Sequence, residues 1–389
     1  MRSIIFLNSH PIQYFTPLYE YVTLDKTLSL EVVYCSDESI AGKLDKGFGT
    51  KVKWDVPLLN GYSYIFLKNY SFKPSIHNGF LGLINWGIIK YLYKKPPSIL
   101  IVHGWAYSTN ILAIIFGKMF GHTICLRTET PLHQEKLKNK YSQFIKKQFL
   151  KILFKFVDNC LYIGFQNKLF YKSFNIAENN LIFTPYAVDN NRFRNIYKEG
   201  NVTTIKQQLG LPLNQKVILF SGKYINKKRP LDLINAFSQL KDKKSILVMV
   251  GDGELKEQMN ELIKSNSLQD RVYLTGFINQ SIIPLYYKVA DIFVMCSGLG
   301  ETWGLSVNEA MNFGLPVLIS ETCGSSYDLI QKGINGEVFE TGNINQLHDY
   351  LEIYLGKTEG EKNCIREKSL SIIDEYSYNT ITENIKNIV

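Results

Sequence analysis

Two glutamates eight positions apart, Glu301 and Glu309, lie on either side of a turn that contains Gly304. If a helix begins near Trp303, its rise of 1.5 Å per residue separates the two carboxylates by roughly 12 Å, so they cannot bind the same atom. They can bracket an extended ligand, because ionised carboxylates accept hydrogen bonds from hydroxyl groups. The amides of Trp303, Gly304 and Leu305 then face a diphosphate between them. Glutamates around a helix start also occur as capping or solvated residues, so the spacing alone leaves both interpretations open.

The elements that position these residues are predicted from the apolar pattern of the chain. Short apolar runs rich in β-branched residues alternate with longer amphipathic segments along the whole sequence. This alternation predicts an α/β fold with parallel sheets and crossover helices. The predicted strands are residues 4–8, 30–35, 64–67, 98–103, 123–127, 160–164, 181–185, 217–221, 246–251, 272–275, 292–296, 316–320 and 337–339. Each half then forms a doubly wound, Rossmann-like unit, in which ligands bind beyond the carboxyl ends of the strands.

The domain boundary is predicted from a polar stretch, residues 191–214, that contains Gly200 and Pro212. We expect it to link a first domain over residues 1–190 to a second over residues 215–365. A length of 389 residues fits two such domains.

Composition excludes several classes of protein. Hydrophobic residues make up 45% and charged residues 20% of the chain, and the mean hydropathy is -0.08, which argues against a disordered or multi-span membrane protein. The six cysteines form no C-x-x-C pair, so neither a zinc ribbon nor a disulfide scaffold is indicated. The first apolar run reads as a strand rather than a signal peptide, and we expect a cytoplasmic protein.

Positive charge is concentrated in the first half. Residues 1–190 hold 22 lysines and arginines against 12 acidic residues, whereas residues 191–389 hold 22 against 23. Much of the excess lies between Lys136 and Lys155, where lysines alternate with large apolar residues at helical spacing. This segment is either a solvated helix face or a surface that contacts anionic lipid headgroups. Nucleic acid is not expected, because no recognised binding motif accompanies the lysines.

The segment around the two glutamates resembles the E-x7-E signature of retaining GT-B glycosyltransferases of family 4. Three further stretches match that family in the required order, at residues 220–230, 250–255 and 272–277. The resemblance therefore covers most of the second half. It implies the GT-B fold, with two Rossmann-like domains facing a cleft and a C-terminal helix, residues 366–389, that packs back on the first domain.

The resemblance also implies a donor site in the second domain. Lys223 and Lys228 would hold the diphosphate in place of a metal ion, although the family usually has arginine at the position of Lys223 and glycine at that of Arg229. Glu309 would bind the ribose, and Glu301 would bind the donor sugar. Glu301 and Lys228 would both be catalytic residues. The remaining predicted donor contacts are Gly222, Gly251, Phe277, Trp303, Gly304 and Leu305. Phe277 is equally interpretable as core packing.

The first half resembles the family less closely. His103 follows an apolar strand where relatives have a histidine that meets the transferred sugar, so it is a candidate catalytic residue, or else it only caps the strand end. His10, Arg127 and Glu129 are candidate residues on the acceptor side, Arg127 and Glu129 where relatives often carry His-Asp.

The function implied is transfer of a sugar, with retention of configuration, from a UDP- or GDP-sugar to a saccharide or lipid-linked saccharide in capsule or O-antigen assembly. No cofactor and no metal are expected, because the chain lacks the Asp-x-Asp pair of metal-dependent transferases. It also lacks H-E-x-x-H, G-x-S-x-G and Walker motifs. Two alternatives remain, namely a GT-B nucleotide-sugar 2-epimerase and a non-catalytic module that binds nucleotide sugars or membranes.

Overall fold

The computed structural model of the chain describes residues 1–40, 44–45, 50–51 and 54–388. The chain divides into two units. The first contains Met1–Lys43, Val56–Tyr186 and Tyr378–Val389, and the second contains Leu44–Asp55 and Ala187–Ser377.

The first part of the chain, up to residue 186, alternates strands and helices. Its strands are β1 (Arg2–Asn8), β2 (Leu28–Tyr34), β3 (Leu44–Asp45), β4 (Thr50–Lys51), β5 (Ser63–Phe66), β6 (Ile99–His103), β7 (Thr123–Arg127), β8 (Asn159–Tyr162) and β9 (Leu181–Phe183). Its helices are α1 (Thr16–Leu24), α2 (Gly87–Lys94), α3 (Ser108–Met119), α4 (Leu132–Glu135), α5 (Lys140–Leu153) and α6 (Phe165–Lys172).

Seven of these strands form one parallel sheet in the order β5-β2-β1-β6-β7-β8-β9. The central strands are continuous apolar runs, and Ile4 to Leu7 in β1 and Leu100 to Val102 in β6 are buried. Such strands are apolar at every position because helices cover both faces of a parallel sheet and bury the side chains on each. The strand order changes direction between β1 and β6, which is where a doubly wound sheet binds its ligand.

The rest of the chain contains a second sheet with its helices, followed by a last helix that belongs to the first unit. The strands are β10 (Val217–Ser221), β11 (Ile246–Val250), β12 (Val272–Leu274), β13 (Ile292–Met295), β14 (Val317–Ser320) and β15 (Gly336–Phe339). The helices are α7 (Asn190–Glu199), α8 (Val202–Gln208), α9 (Pro230–Ser238), α10 (Lys256–Ser265), α11 (Ile283–Val289), α12 (Leu305–Met311), α13 (Ser326–Leu329), α14 (Ile344–Leu355), α15 (Glu359–Asp374) and α16 (Tyr378–Lys386). The sheet is parallel in the order β12-β11-β10-β13-β14-β15, so its direction changes between β10 and β13.

All thirteen strands predicted from the sequence are present, with ends that differ by up to two residues. The short antiparallel pair of β3 and β4 was not predicted. Each of its strands has two residues, which is too few to produce an apolar alternation.

The predicted linker, residues 191–214, contains helices α7 and α8 in the second unit. Both begin at side-chain caps, because Asp189 accepts a hydrogen bond from the Arg192 amide and Asn201 accepts one from the Thr204 amide. Phe193 on α7 is fully buried. The polar residues of this segment therefore belong to two capped helices and not to an extended linker.

The C-terminal return to the first unit is shorter than the predicted helix 366–389. Helix α15 packs within the second unit, where Ile365 and Ile373 are buried. Only α16 joins the first unit, and there Asn384 donates a hydrogen bond of 2.8 Å to the Phe183 carbonyl. Among the helices that the structure describes, none is both long enough and apolar enough to cross a bilayer.

Candidate functional site

The loops after β10 and β13 meet at the point where the second sheet changes direction. The two strands are paired through Ile218–Ile292 and Leu219–Phe293, so their following loops leave the same edge of the sheet. The Gly298 amide donates a hydrogen bond of 2.7 Å to the Lys227 carbonyl. This contact joins the loop of the predicted lysines to the loop of the first predicted glutamate.

Glu301 and Lys228 form a largely buried ion pair. Their side chains are 11% and 15% exposed, and Lys228 Nζ lies 2.5 Å from Glu301 Oε2. Lys227 Nζ is 3.6 Å from the same oxygen. Burial alone would raise the pKa of Glu301, but the charges of Lys228 and Lys227 outweigh it and hold the pKa below its ordinary value. The site therefore contains an ionised carboxylate beside two ammonium groups.

The structure thus brings two predicted donor contacts into direct contact with each other. An ammonium group has three N–H donors, so Lys228 can hold Glu301 and a further anion together. Gly222 lies against this lysine, because a Cβ added at residue 222 would be 3.6 Å from Lys228 Cε. Lys223 is partly exposed in the same loop.

Gly251 allows three loops to approach one another. Its φ is +147°, and an added Cβ would lie 1.9 Å from the Gly222 carbonyl oxygen. The Gly251 amide donates to the Gly276 carbonyl at 3.0 Å, and the Tyr224 amide donates to the Asp252 carbonyl at 2.9 Å. The predicted role of Gly251 at the border of the site therefore has a steric reason, since any side chain there would push the lysine loop away.

The start of α12 depends on Gly304. This residue precedes the helix with φ +97°, a conformation that favours glycine. The Trp303 ring is buried and donates a hydrogen bond of 2.8 Å from Nε1 to Asn308 Oδ1. The ring therefore braces the turn, and the residue can offer a ligand only its backbone. Because α12 begins at Leu305, Glu301 lies in the loop ahead of the helix.

We expect Gly304→Ala to destabilise the protein by about 3 kcal/mol or more. The new Cβ would lie 2.5 Å from Met295 Sδ and 3.0 Å from Cys323 Sγ, at a backbone conformation unfavourable for alanine. Urea unfolding measures the effect. Gly360→Ala is the matched control, because its Cβ would meet nothing within 4 Å, and equal stability of the two variants would contradict the prediction.

Glu309 is held by a residue that sequence reasoning missed. Its side chain is buried, and Tyr287 Oη donates to Glu309 Oε2 at 2.7 Å. Tyr287 in turn stacks on Phe313, with ring centroids 5.8 Å apart. The tyrosine lies 22 positions before the glutamate on a different helix, α11, so no local spacing could indicate the pair. The hydrogen bond fixes the carboxylate in one orientation.

Phe277 is only partly buried. Its ring meets the Trp54 ring edge to face, with centroids 5.9 Å apart. The neighbouring Asp55 accepts a hydrogen bond of 3.1 Å from the Ser281 amide. The structure therefore does not decide between the two interpretations of Phe277, and its contact with the donor stays a prediction.

The structure brings two of the candidate residues of the first unit together and separates a third. His103 and Arg127 end the neighbouring strands β6 and β7 and are register partners. His10 has other neighbours: Ser9 Oγ lies 2.9 Å from its Nδ1. Burial lowers the pKa of His10 to about 4, with Glu38 opposing this effect and His77 adding to it. Glu129 acts on Arg127 only through its charge, which raises the pKa of the guanidinium.

Among the residues that the structure describes, no group of three or more histidine, cysteine, aspartate or glutamate side chains is arranged to hold a metal ion. All six cysteines are free thiols, and only Cys364 is exposed.

Comparison with known proteins connects this site to a family. Residues 201–369 match the model of the family described as glycosyl transferases group 1. The alpha-monoglucosyldiacylglycerol synthase of Streptococcus pneumoniae is 32% identical over 182 residues, which are 46% of this chain and 40% of that protein. The N-acetyl-alpha-D-glucosaminyl L-malate synthase of Bacillus anthracis is 24% identical over 194 residues, half of each chain. The chain thus spans about half the length of the curated relatives it matches.

Solved structures match over almost the entire chain. Anabaena Alr3699/HepE in complex with UDP and glucose has a TM-score of 0.70 at 17% identity, covering 99% of this chain and 98% of that one. WaaG, a glycosyltransferase involved in lipopolysaccharide biosynthesis, has a TM-score of 0.68 at 15% identity, covering 99% of both chains. The chain therefore has the two-domain GT-B fold of these structures, and its residues 201–369 match the glycosyl transferases group 1 family.

Proposed function

We propose that this protein is a glycosyltransferase that moves a sugar from a nucleoside diphosphate sugar to a hydroxyl group, with retention of configuration and without a metal ion. The observation that carries the proposal is the buried Lys228–Glu301 pair at the switch point of the second sheet, within the segment that matches the group 1 family. Two supporting findings are the related folds solved with UDP and with UDP-glucose.

Each residue of the site has a role in this proposal. Lys228 and Lys223 bind the diphosphate and stabilise the charge that develops when it leaves. Glu301 accepts hydrogen bonds from donor-sugar hydroxyls and keeps Lys228 in place. Glu309, oriented by Tyr287, accepts hydrogen bonds from the ribose hydroxyls.

In this reaction no group of the enzyme forms a covalent intermediate with the sugar. The bond between the anomeric carbon and the phosphate oxygen breaks, the acceptor oxygen bonds to the same face of that carbon, and the departing phosphate oxygen takes the acceptor proton. The enzyme contributes positioning and charge stabilisation. The acceptor is proposed to be a saccharide or lipid-linked saccharide of a cell-surface polysaccharide.

The test is to incubate the protein with ¹³C-labelled UDP- and GDP-sugars in EDTA, with and without lipid diphosphate-linked monosaccharides. Proton NMR then reads the anomeric configuration of any product. A product that keeps the donor configuration supports the proposal. Conversion of the donor sugar without an acceptor would indicate the epimerase instead, and binding with no conversion of any donor would indicate the non-catalytic module.

We further propose that α5 docks on an anionic membrane surface, which would be the inner face of the cytoplasmic membrane. The helix and the residues before it expose large apolar side chains: Leu137, Tyr141, Phe144, Ile145, Phe149 and Ile152. Exposed lysines accompany them at positions 136, 140, 147, 151 and 155. Lys146 is not among them, because it pairs with Glu135 at 2.8 Å. Clustered exposed apolar residues with flanking lysines are typical of interfacial helices.

We expect Phe144→Ser/Ile145→Ser to reduce binding to vesicles that contain phosphatidylglycerol by about 100-fold or more, since each buried apolar side chain contributes roughly 1.5–3 kcal/mol and about 1.4 kcal/mol corresponds to a factor of ten. Sedimentation with vesicles measures the binding, and vesicles of phosphatidylcholine alone should bind weakly. Ile353→Ser is the control, because Ile353 is similarly exposed, at 54%, on a helix of the second unit. Unchanged binding of the double variant would exclude α5 as the docking surface.

A further inference from the structure

The first unit has its own switch point, and two polar side chains lie there outside the donor site. The strand order changes direction between β1 and β6. His103 is the last residue of β6 and Arg127 is the last residue of the neighbouring β7. Because the two residues are register partners in a parallel pair, their side chains leave the same face of the sheet. They therefore lie where a doubly wound sheet receives its ligand.

Arg127 is a buried cation that forms no ion pair within the described part of the chain, where Glu129 acts on it only through its charge. The residue is 6% exposed, and its guanidinium lies 5.1 Å from the centroid of the Phe15 ring and 4.7 Å from that of Tyr186. Among the residues that the structure describes, the guanidinium makes no hydrogen bond and no ion pair. Two aromatic faces thus hold the group in place and leave its five N–H donors to other partners.

His103 offers a second unused polar atom beside it. Its Nε2 is buried and has no hydrogen-bond partner in the described part of the chain. Phe15 packs edge-on against the imidazole, with centroids 4.8 Å apart, so one phenylalanine contacts both polar residues. Burial, and then the charge of Arg127, hold the pKa of His103 well below its ordinary value, so the ring is neutral near pH 7.

This arrangement is unfavourable for the protein alone. A buried charge destabilises the folded state unless an opposite charge and hydrogen bonds compensate it. Arg271 shows the usual solution in the same chain, since its guanidinium donates to the carbonyl oxygens of Asp242 and Ser245 at 2.8 and 3.1 Å. An anionic ligand would supply what Arg127 lacks, because the planar fork of arginine binds phosphate and carboxylate groups with two parallel hydrogen bonds.

We propose that Arg127 and His103 form an anion-binding subsite in the first unit that takes a phosphate or carboxylate group of the acceptor. The guanidinium supplies the charge and the paired donors, and the neutral imidazole supplies one further hydrogen bond. The assignment of the anion to the acceptor rests on the proposed function, whereas the anion site itself does not.

The test uses the full chain with Lys228→Ala, so that the lysine pair of the second unit does not dominate anion binding. Calorimetric titration compares inorganic phosphate, pyrophosphate and malonate with and without Arg127→Met, which keeps an unbranched apolar side chain but removes the charge and the N–H donors. We expect Arg127→Met to weaken binding by about tenfold or more. Stronger binding of phosphate and pyrophosphate would assign a phosphate group, and stronger binding of malonate would assign a carboxylate.

Two further readouts separate a binding role from a structural one. Arg127→Met should leave the Tm unchanged or higher, whereas Arg271→Met should lower it. The imidazole ¹⁵N resonances of His103 should shift on addition of the preferred anion only when Arg127 is present. Equal anion binding with and without Arg127, or a loss of Tm in Arg127→Met as large as in Arg271→Met, would overturn the proposal. Neither result bears on nucleotide binding by the wild-type second unit, so failure here is distinguishable from failure of the proposed function.

Discussion

Lys228→Met is expected to destabilise the protein by about 3 kcal/mol and to weaken binding of nucleoside diphosphates by at least about tenfold. The variant leaves Glu301 buried without the ammonium group at 2.5 Å. Lys227, at 3.6 Å from the same oxygen, compensates only in part. Urea unfolding reports the stability, and calorimetric titration reports the binding.

The stability loss should depend on pH with a definite sign. In the wild type the pKa of Glu301 is held below its ordinary value by the two lysines against the effect of burial. A depressed pKa stabilises the folded state above the unfolded pKa, about 4.3 for glutamate, and this stabilisation is lost as the pH falls through the folded value. The difference between wild type and Lys228→Met should therefore be largest near neutral pH and shrink below about pH 4.

Lys264→Met is the matched control for this prediction, because Lys264 is exposed on α10 in the same unit. A surface lysine without a buried partner contributes roughly 0–1 kcal/mol. If Lys228→Met and Lys264→Met unfolded at the same urea concentration, the Lys228–Glu301 pair would not stabilise the folded protein as predicted.

Glu309→Gln is expected to lower kcat/KM by about 100-fold. The substitution preserves the shape of the side chain but replaces one carboxylate oxygen with an NH₂ donor, whereas the Tyr287 hydroxyl and the ribose hydroxyls of the proposed donor both need acceptors. Because Glu309 is buried and accepts from Tyr287 at 2.7 Å, the amide cannot turn away from this mismatch.

Tyr287→Phe tests the orientation of the same carboxylate. It removes the donor but leaves Glu309 charged, so we expect a smaller loss of about tenfold. The exposed Glu261→Gln on α10 is the control for charge alone. Full activity of Glu309→Gln at unchanged stability would show that Glu309 does not bind the ribose.

Much of the fold could be predicted from the sequence because buried parallel strands are continuous apolar runs. Val217–Ser221 and Ile246–Val250 are such runs, and a doubly wound sheet binds its ligands beyond the carboxyl ends of its strands. The lysine loop and the Glu301 loop were predicted at the same edge of the sheet, and the structure joins them through the Gly298–Lys227 hydrogen bond.

The features that the sequence did not reveal depend on tertiary contacts. Nothing local indicates that Tyr287 reaches Glu309, or that Lys146 turns inward to Glu135 while its neighbours remain exposed. Polar composition also hid the capped helices of residues 191–214, because hydrogen-bonded caps at Asp189 and Asn201 use the same residue types as loops.

The most direct test of the central claim is calorimetric titration of the wild-type chain with UDP, GDP, CDP, ADP and dTDP in EDTA. We expect at least one nucleoside diphosphate to bind with one-to-one stoichiometry in the absence of metal, and we expect Lys228→Met to lose this binding while Lys264→Met retains it. Failure of all five to bind at millimolar concentration, or binding that Lys228→Met leaves unchanged, would contradict a donor site built on the Lys228–Glu301 pair.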